Sequence, residues 1–134
     1  MAWMLDTDTC IYVMKHNPPE VRRRFDQFRP GALSISALVA GELWHGVAKS
    51  RLRARNDTAL RQFLANLQVL DWPTEAASIY GEIRAALERQ GRLIGGMDML
   101  IAAHAMQAQA VLVTRNAREF RRVRGLRLEN WVTN

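Results

Sequence analysis

Four acidic positions and their neighbours carry the chemistry that this sequence can do. Asp6 comes directly after the apolar run Ala2-Trp3-Met4-Leu5. Glu42 stands inside Ala37-Leu38-Val39-Ala40-Gly41-Glu42-Leu43-Trp44, where a carboxylate facing the core would be costly. Asp98 opens the apolar stretch Met97 to Met106, just after Gly95-Gly96, a pair expected to permit close backbone approach. Thr114, Asn116 and Glu119 follow the apolar run Val111-Leu112-Val113. Carboxylates gathered in one water-poor crevice cannot all stay ionised, so one takes a proton or a cation compensates. Hard oxygen donors without a cysteine or histidine cluster favour Mg²⁺ or Mn²⁺ over zinc. Such an ion activates water and neutralises phosphate charge.

Each residue also has a purely structural use. Asp6 or Asp8 can cap the helix that follows, although Thr7 and Thr9 are alternative caps. Glu42 can face solvent. Asp98 can simply complement a helix dipole. Asn116 can be an N-cap, with Glu119 exposed and paired to an arginine. His45 and His104 read as structural residues.

The elements that must position these groups alternate along the chain. Short apolar runs at Ala2–Leu5, Ala32–Ile35, Val69–Leu70, Ala110–Val113 and Leu126–Leu128 read as strands. Between them, helices are expected over Asp8–Lys15 and Pro19 to about Phe28. Two more follow: one from a Ser36 cap to Lys49, and a basic amphipathic helix over Ser50–Gln68. Further helices are expected from a Thr74 cap to Gly91, over Met97–Gln109, and over Ala117–Phe120. Alternation of this kind specifies an α/β fold, a mainly parallel sheet covered by helices on both faces. In such sheets ligands bind outside the carboxyl ends of the strands, which is where Asp6 and Thr114 fall.

The chain has 134 residues, with 49% hydrophobic and 24% charged, the proportions of one soluble globular domain over 1–134. Cys10 is the only cysteine, which excludes an internal disulfide and a cysteine-based zinc site. No signal segment or long apolar span is visible, so a cytoplasmic protein with no membrane association is expected. The net charge is +6, and of the 19 basic residues all but Lys15 and Lys49 are arginine. Arginine's planar fork suits phosphate oxygens, and an acid pocket inside a basic surface is the signature of a metal-dependent nuclease.

In order and spacing, four segments resemble the PIN domain: Leu5-Asp6-Thr7-Asp8; Ser34-Ile35-Ser36 leading to Glu42; Ile94-Gly95 through Asp98 to Ala105; and Val113-Thr114-Arg115-Asn116 with Glu119-Phe120. More narrowly they resemble the VapC toxins of bacterial toxin–antitoxin pairs, as does the tail Arg121 to Trp131. The resemblance implies a three-layer α/β/α sandwich and a Mg²⁺- or Mn²⁺-dependent endoribonuclease. It implies Asp6, Glu42 and Asp98 as the principal acids, Asn116 or Glu119 at a fourth and more variable position, and Thr114 in support. It further implies an RNA substrate, in particular tRNA at the initiator anticodon, a cognate VapB-like antitoxin, a homodimer and a toxin–antitoxin hetero-oligomer. On this reading Asp6, Asp98 and Asn116 or Glu119 hold the ion, and Glu42 serves the attacking water or a second ion. Three positions depart from the group's pattern: Asp8 stands where Asn is common, Gly96 where Pro is frequent and Arg115 where Asn is frequent. The rival readings are a non-catalytic RNA-binding module and a protein-interaction module. For the latter, the 50–68 helix, Trp44 and Trp72 are candidate contact surfaces.

Overall fold

Five short strands form a single sheet in which every pairing is parallel, in the order β3-β2-β1-β4-β5. The structure, a computed structural model, describes residues 2–133. The strands are β1 Ala2–Leu5, β2 Leu33–Ser36, β3 Gln68–Leu70, β4 Ala110–Val113 and β5 Leu128–Glu129. The helices are α1 Thr7–Lys15, α2 Pro19–Phe25, α3 Ala37–Ala48, α4 Arg53–Leu64, α5 Ala76–Arg89, α6 Gly96–Gln107 and α7 Ala117–Phe120. They cover the sheet in the three-layer α/β/α arrangement expected from the alternation.

The core explains the strand and helix sequences. β4 is Ala-Val-Leu-Val with all four residues buried, and beside it Met4 and Leu5 of β1 are wholly buried. Continuous apolar runs of this kind are what a parallel sheet covered on both faces requires. α6 is buried from Met99 to Ala105 apart from Leu100, and its alanines Ala102, Ala103 and Ala105 let it approach its neighbours closely.

The chain order places the functional edge. β1, β2 and β3 run outward in one direction and β4, β5 in the other, so the strand order reverses between β1 and β4. Leu5 pairs with Val113 in register, which brings the carboxyl ends of both strands to the same level. That junction is the topological switch point where open α/β sheets bind ligands.

Several expected boundaries move. α1 begins at Thr7 because Asp6 is its cap, so Thr7 and Thr9 lie inside the helix instead of capping it. α2 stops at Phe25, short of Phe28. The basic helix shortens at both ends: Ser50 to Leu52 form a turn, with the Ser50 hydroxyl donating to the Val47 carbonyl at 2.7 Å. Thr74 makes no side-chain cap on α5. β5 falls at Leu128–Glu129, two residues later than its apolar run begins.

The tail is fastened across the molecule. Trp131, 4% exposed, stacks on Phe28 at 5.7 Å, and Phe28 meets Trp3 of β1 edge-on at 5.5 Å. The Arg24 guanidinium lies over all three rings and pairs with Glu129 at 3.3 Å, while the Trp131 indole N–H donates to the same carboxylate at 2.8 Å.

Candidate active site

Asp6 is built into the switch point by two contacts of its own and one made by Thr9. Its backbone N–H donates to the Val113 carbonyl at 3.0 Å, locking the end of β1 to the end of β4. Its Oδ1 accepts from the Thr9 N–H at 2.9 Å, which caps α1. The Thr9 hydroxyl donates to the Val113 carbonyl at 3.1 Å. Asp6 is 7% exposed. Burial pushes its carboxyl above the ordinary value, against the lowering effect of hydrogen bonds from Thr114 and Thr9. The capping use and a place in the crevice therefore coexist in one side chain.

Thr114 follows β4 and is wholly buried beside Asp6. Its hydroxyl accepts from the Asn116 N–H at 2.9 Å, closing the tight turn between β4 and α7. Asn116 occupies the cap position of α7 without a side-chain cap bond, and its side chain lines the crevice instead.

Glu42 stands on the exposed side of α3, whose start is capped by the Ser36 hydroxyl accepting from the Leu38 N–H at 3.2 Å. The Thr7 hydroxyl donates to Glu42 Oε1 at 2.5 Å, tying α3 to the first turn of α1. Asp98 lies in the first turn of α6 and is half-buried. Its pKa is pushed up to about 6 by burial first, then by the carboxylates of Asp6, Glu119, Glu42 and Asp8.

The crevice these groups line has a volume of about 170 Å³. Asp6, Asp8, Glu42 and Asp98 face it, together with Asn116. Glu119 is half-buried on α7 and does not line it, although its charge reaches Asp98. Residues from β1's end, α1, α3, α6 and the β4–α7 turn thus share one small space. Among the described residues, no three Asp, Glu, His or Cys side chains stand close enough, as oriented, to enclose a metal ion. Two are held by other partners: Asp6 by its cap and Glu42 by Thr7. The donor set itself fits a hard divalent cation. Every candidate ligand atom is an oxygen or an amide, and crowded carboxylates with no lining cation have an unmet need for positive charge.

Other expectations resolve differently. Gly95 has φ −55°, and a Cβ there would make ordinary contact with Asp98 at 3.5 Å, while one at Gly96 would meet nothing within 4 Å. The glycine pair is therefore not required by any special backbone approach. His104 is buried, its pKa is lowered by burial, and its Nδ1 has no hydrogen-bond partner; it is a core residue. His45 is exposed one turn beyond Glu42 and does not line the crevice. Trp72 donates its indole N–H to the Leu100 carbonyl at 2.9 Å, and Trp44 lies under the Arg61 guanidinium, so both are half-buried packing residues. Reading residue by residue missed Thr7 as the partner of Glu42. It also missed Ile101 and Phe120 as apolar walls of the crevice, since only the fold brings them there.

The chain belongs to the PIN domain family, whose sequence pattern matches residues 3–126. It is 43% identical over 132 residues to "Ribonuclease VapC2" of Haemophilus influenzae, covering 98% of this chain and 99% of that protein. It is 43% identical over 131 residues to "tRNA(fMet)-specific endonuclease VapC" of Shigella flexneri, covering 98% of each. Within the PIN family these relatives set it among the VapC ribonucleases. Among solved structures it is similar to VapBC2 of Rickettsia felis bound to a promoter DNA fragment. The TM-score is 0.92 at 37% identity, over 98% of this chain and all of that one. PIN-domain nucleases generally depend on a divalent metal ion. Among the described residues no helix is long and apolar enough to cross a membrane.

Proposed function

We propose that this chain is a single-domain, Mg²⁺- or Mn²⁺-dependent endoribonuclease toxin of the cytoplasm. Its substrate is tRNA, and a cognate antitoxin holds it in check. The observation that carries this reading is the sharing of one crevice by Asp6, Glu42 and Asp98, from three separate elements, at the switch point of the sheet. The substrate follows from the tRNA(fMet)-specific relatives, and the antitoxin and hetero-oligomer from the VapBC complexes among similar structures. A homodimer, implied by the resemblance, belongs to the same proposal.

Asp6, Asp98 and Asn116 or Glu119 would hold the ion, which when bound supplies charge neutralisation of the phosphate and a more acidic water. Glu42, fixed by the Thr7 hydroxyl, accepts the proton of the attacking water. Thr114 keeps the Asp6 carboxylate oriented through its hydroxyl. The arginine-rich surface draws the polyanion towards this acidic centre. Attack by water leaves a 5′-phosphate and a 3′-hydroxyl.

The experiment is cleavage of purified tRNA by the purified chain with Mg²⁺, with Mn²⁺ and with EDTA, followed by analysis of the RNA ends. Cleavage that needs the metal and leaves 5′-phosphates is expected. A 2′,3′-cyclic phosphate product would remove the metal–water mechanism. RNA binding that persists in EDTA, with no cleavage under any condition, would favour the binding-module reading.

A further inference from the structure

The crevice is lined by four carboxylates and no cation, yet its proposed substrate is a polyanion. Beyond the ion at the reacting phosphate, a protein cation nearby would lessen the repulsion that the flanking phosphates meet on approach. Arg115 does not line the crevice itself but comes in the chain between Thr114, which is packed beside Asp6, and Asn116, which does line it. The bond from the Asn116 N–H to the Thr114 hydroxyl closes the turn around Arg115 and leaves its side chain exposed to solvent.

Arg115 is also held in place. Its Nη1 donates to the Tyr12 hydroxyl at 2.7 Å, across 103 residues of sequence. Tyr12 lies on α1, the helix that Asp6 caps, so the guanidinium is anchored to the same rigid element as the acid. Among the described residues, Arg115 makes no ion pair with any carboxylate. It is near enough to Asp8, on the crevice wall, to feel its charge. An exposed arginine without a carboxylate, yet fixed by a neutral hydroxyl, keeps most of its five N–H donors free. Its planar fork matches a phosphate.

We propose that Arg115 is a substrate-binding residue that grips an RNA phosphodiester flanking the bond to be cut, and that Tyr12 is the positioning residue that presents its guanidinium. The inference rests on the nuclease reading above. Holding the fork in place before RNA arrives removes part of the ordering cost of binding.

The test is steady-state cleavage of tRNA by the full chain over a series of salt concentrations, for wild type, Arg115→Gln, Arg115→Lys and Tyr12→Phe. Thermal melts check that each variant folds. Arg115→Gln is expected to raise KM about tenfold while kcat changes less than threefold. It should also flatten the slope of log KM against log salt by about 0.7, the loss of one phosphate contact on a single strand. Arg115→Lys keeps the charge, and so the slope, but recovers only part of the affinity. Tyr12→Phe keeps the slope and raises KM about threefold. A fold-tying role alone would lower the melting temperature and leave the slope untouched. The proposal is overturned if Arg115→Gln cuts with the wild-type KM and slope, or loses kcat alone. If wild type itself leaves RNA intact with Mg²⁺ and Mn²⁺, the nuclease reading fails first and takes this contact with it.

Discussion

The Thr7 hydroxyl and the Glu42 carboxylate meet at 2.5 Å across the gap between α1 and α3. Glu42 is exposed, so without this bond it would be free to sample several rotamers in solvent. Thr7→Val should therefore lower kcat about tenfold, a part of the ~10²–10⁴-fold that a placed general base contributes. Thr7→Ser, which restores the hydroxyl, should return most of it. A melting temperature unchanged in both variants, with activity lost only in Val, is the pattern to look for. Equal activity in all three would detach Thr7 from the reaction.

Asp6 separates charge from capping in a way that two substitutions can read. Asparagine is as good an N-cap as aspartate, so Asp6→Asn should keep the bond to the Thr9 N–H. It should abolish cleavage with little change in stability. Asp6→Ala should abolish cleavage and also cost about 1 kcal/mol, because the cap is lost. Urea unfolding of the two variants alongside an RNA cleavage assay decides the matter.

Asp98 makes stability depend on pH. Its carboxyl takes up a proton at about 6 in the folded chain, against 3.8 ordinarily. Between those values the folded state binds more protons than the unfolded state, so stability falls as pH rises through that window. The favourable contribution is whole below 3.8 and gone above about 6. In metal-free buffer, Asp98→Asn should raise the melting temperature at pH 7 by a few degrees, on the order of 1 kcal/mol for a half-buried group. At pH 4 the gain should vanish. A gain that is equal at both pH values would point to some cause other than the carboxylate.

Adding divalent metal should act in the same direction. An ion that binds only the folded chain stabilises it by about 2.7 kcal/mol at a hundredfold excess over its dissociation constant. Differential scanning calorimetry with and without Mn²⁺ should show that increment at pH 7, and much less of it in Asp98→Asn.

Trp131 offers a test of the fold alone. It is 4% exposed and stacks on Phe28 beneath the Arg24 guanidinium. Trp131→Ala should cost about 3–5 kcal/mol in chemical denaturation. Arg24→Lys should cost less, because a lysine keeps the charge but not the flat face.

Some of this architecture was legible in the residues because one local force dominated. Ala110–Val113 falls where expected, since a four-residue apolar run between turn signals admits little else, and the single helical turn Ala117–Phe120 also keeps its expected bounds. The Ser36 cap is likewise where its hydroxyl suggested. The helix expected over Ser50–Gln68 is shorter because the Ser50 hydroxyl takes the Val47 carbonyl and leaves a turn before Arg53. Thr74 and Asn116 had the chemistry of caps but not the geometry. Thr7 with Glu42 and Tyr12 with Arg115 could not be read at all, because their partners lie 35 and 103 residues apart and only strand order brings them together. The acids at strand ends were legible for the opposite reason: an acid after an apolar strand has few places to go in a parallel sheet.

The Val113 carbonyl that receives Asp6 and Thr9 lies 104 residues downstream of Thr9. A ribosome therefore delivers β1, with its acid, long before the strand that completes the candidate site. A nascent chain, or one released early or clipped between α5 and α6, carries Asp6 and Glu42 without Asp98 and Thr114. Such a piece holds only part of the candidate site. The candidate site is therefore assembled only after nearly the whole chain has been made.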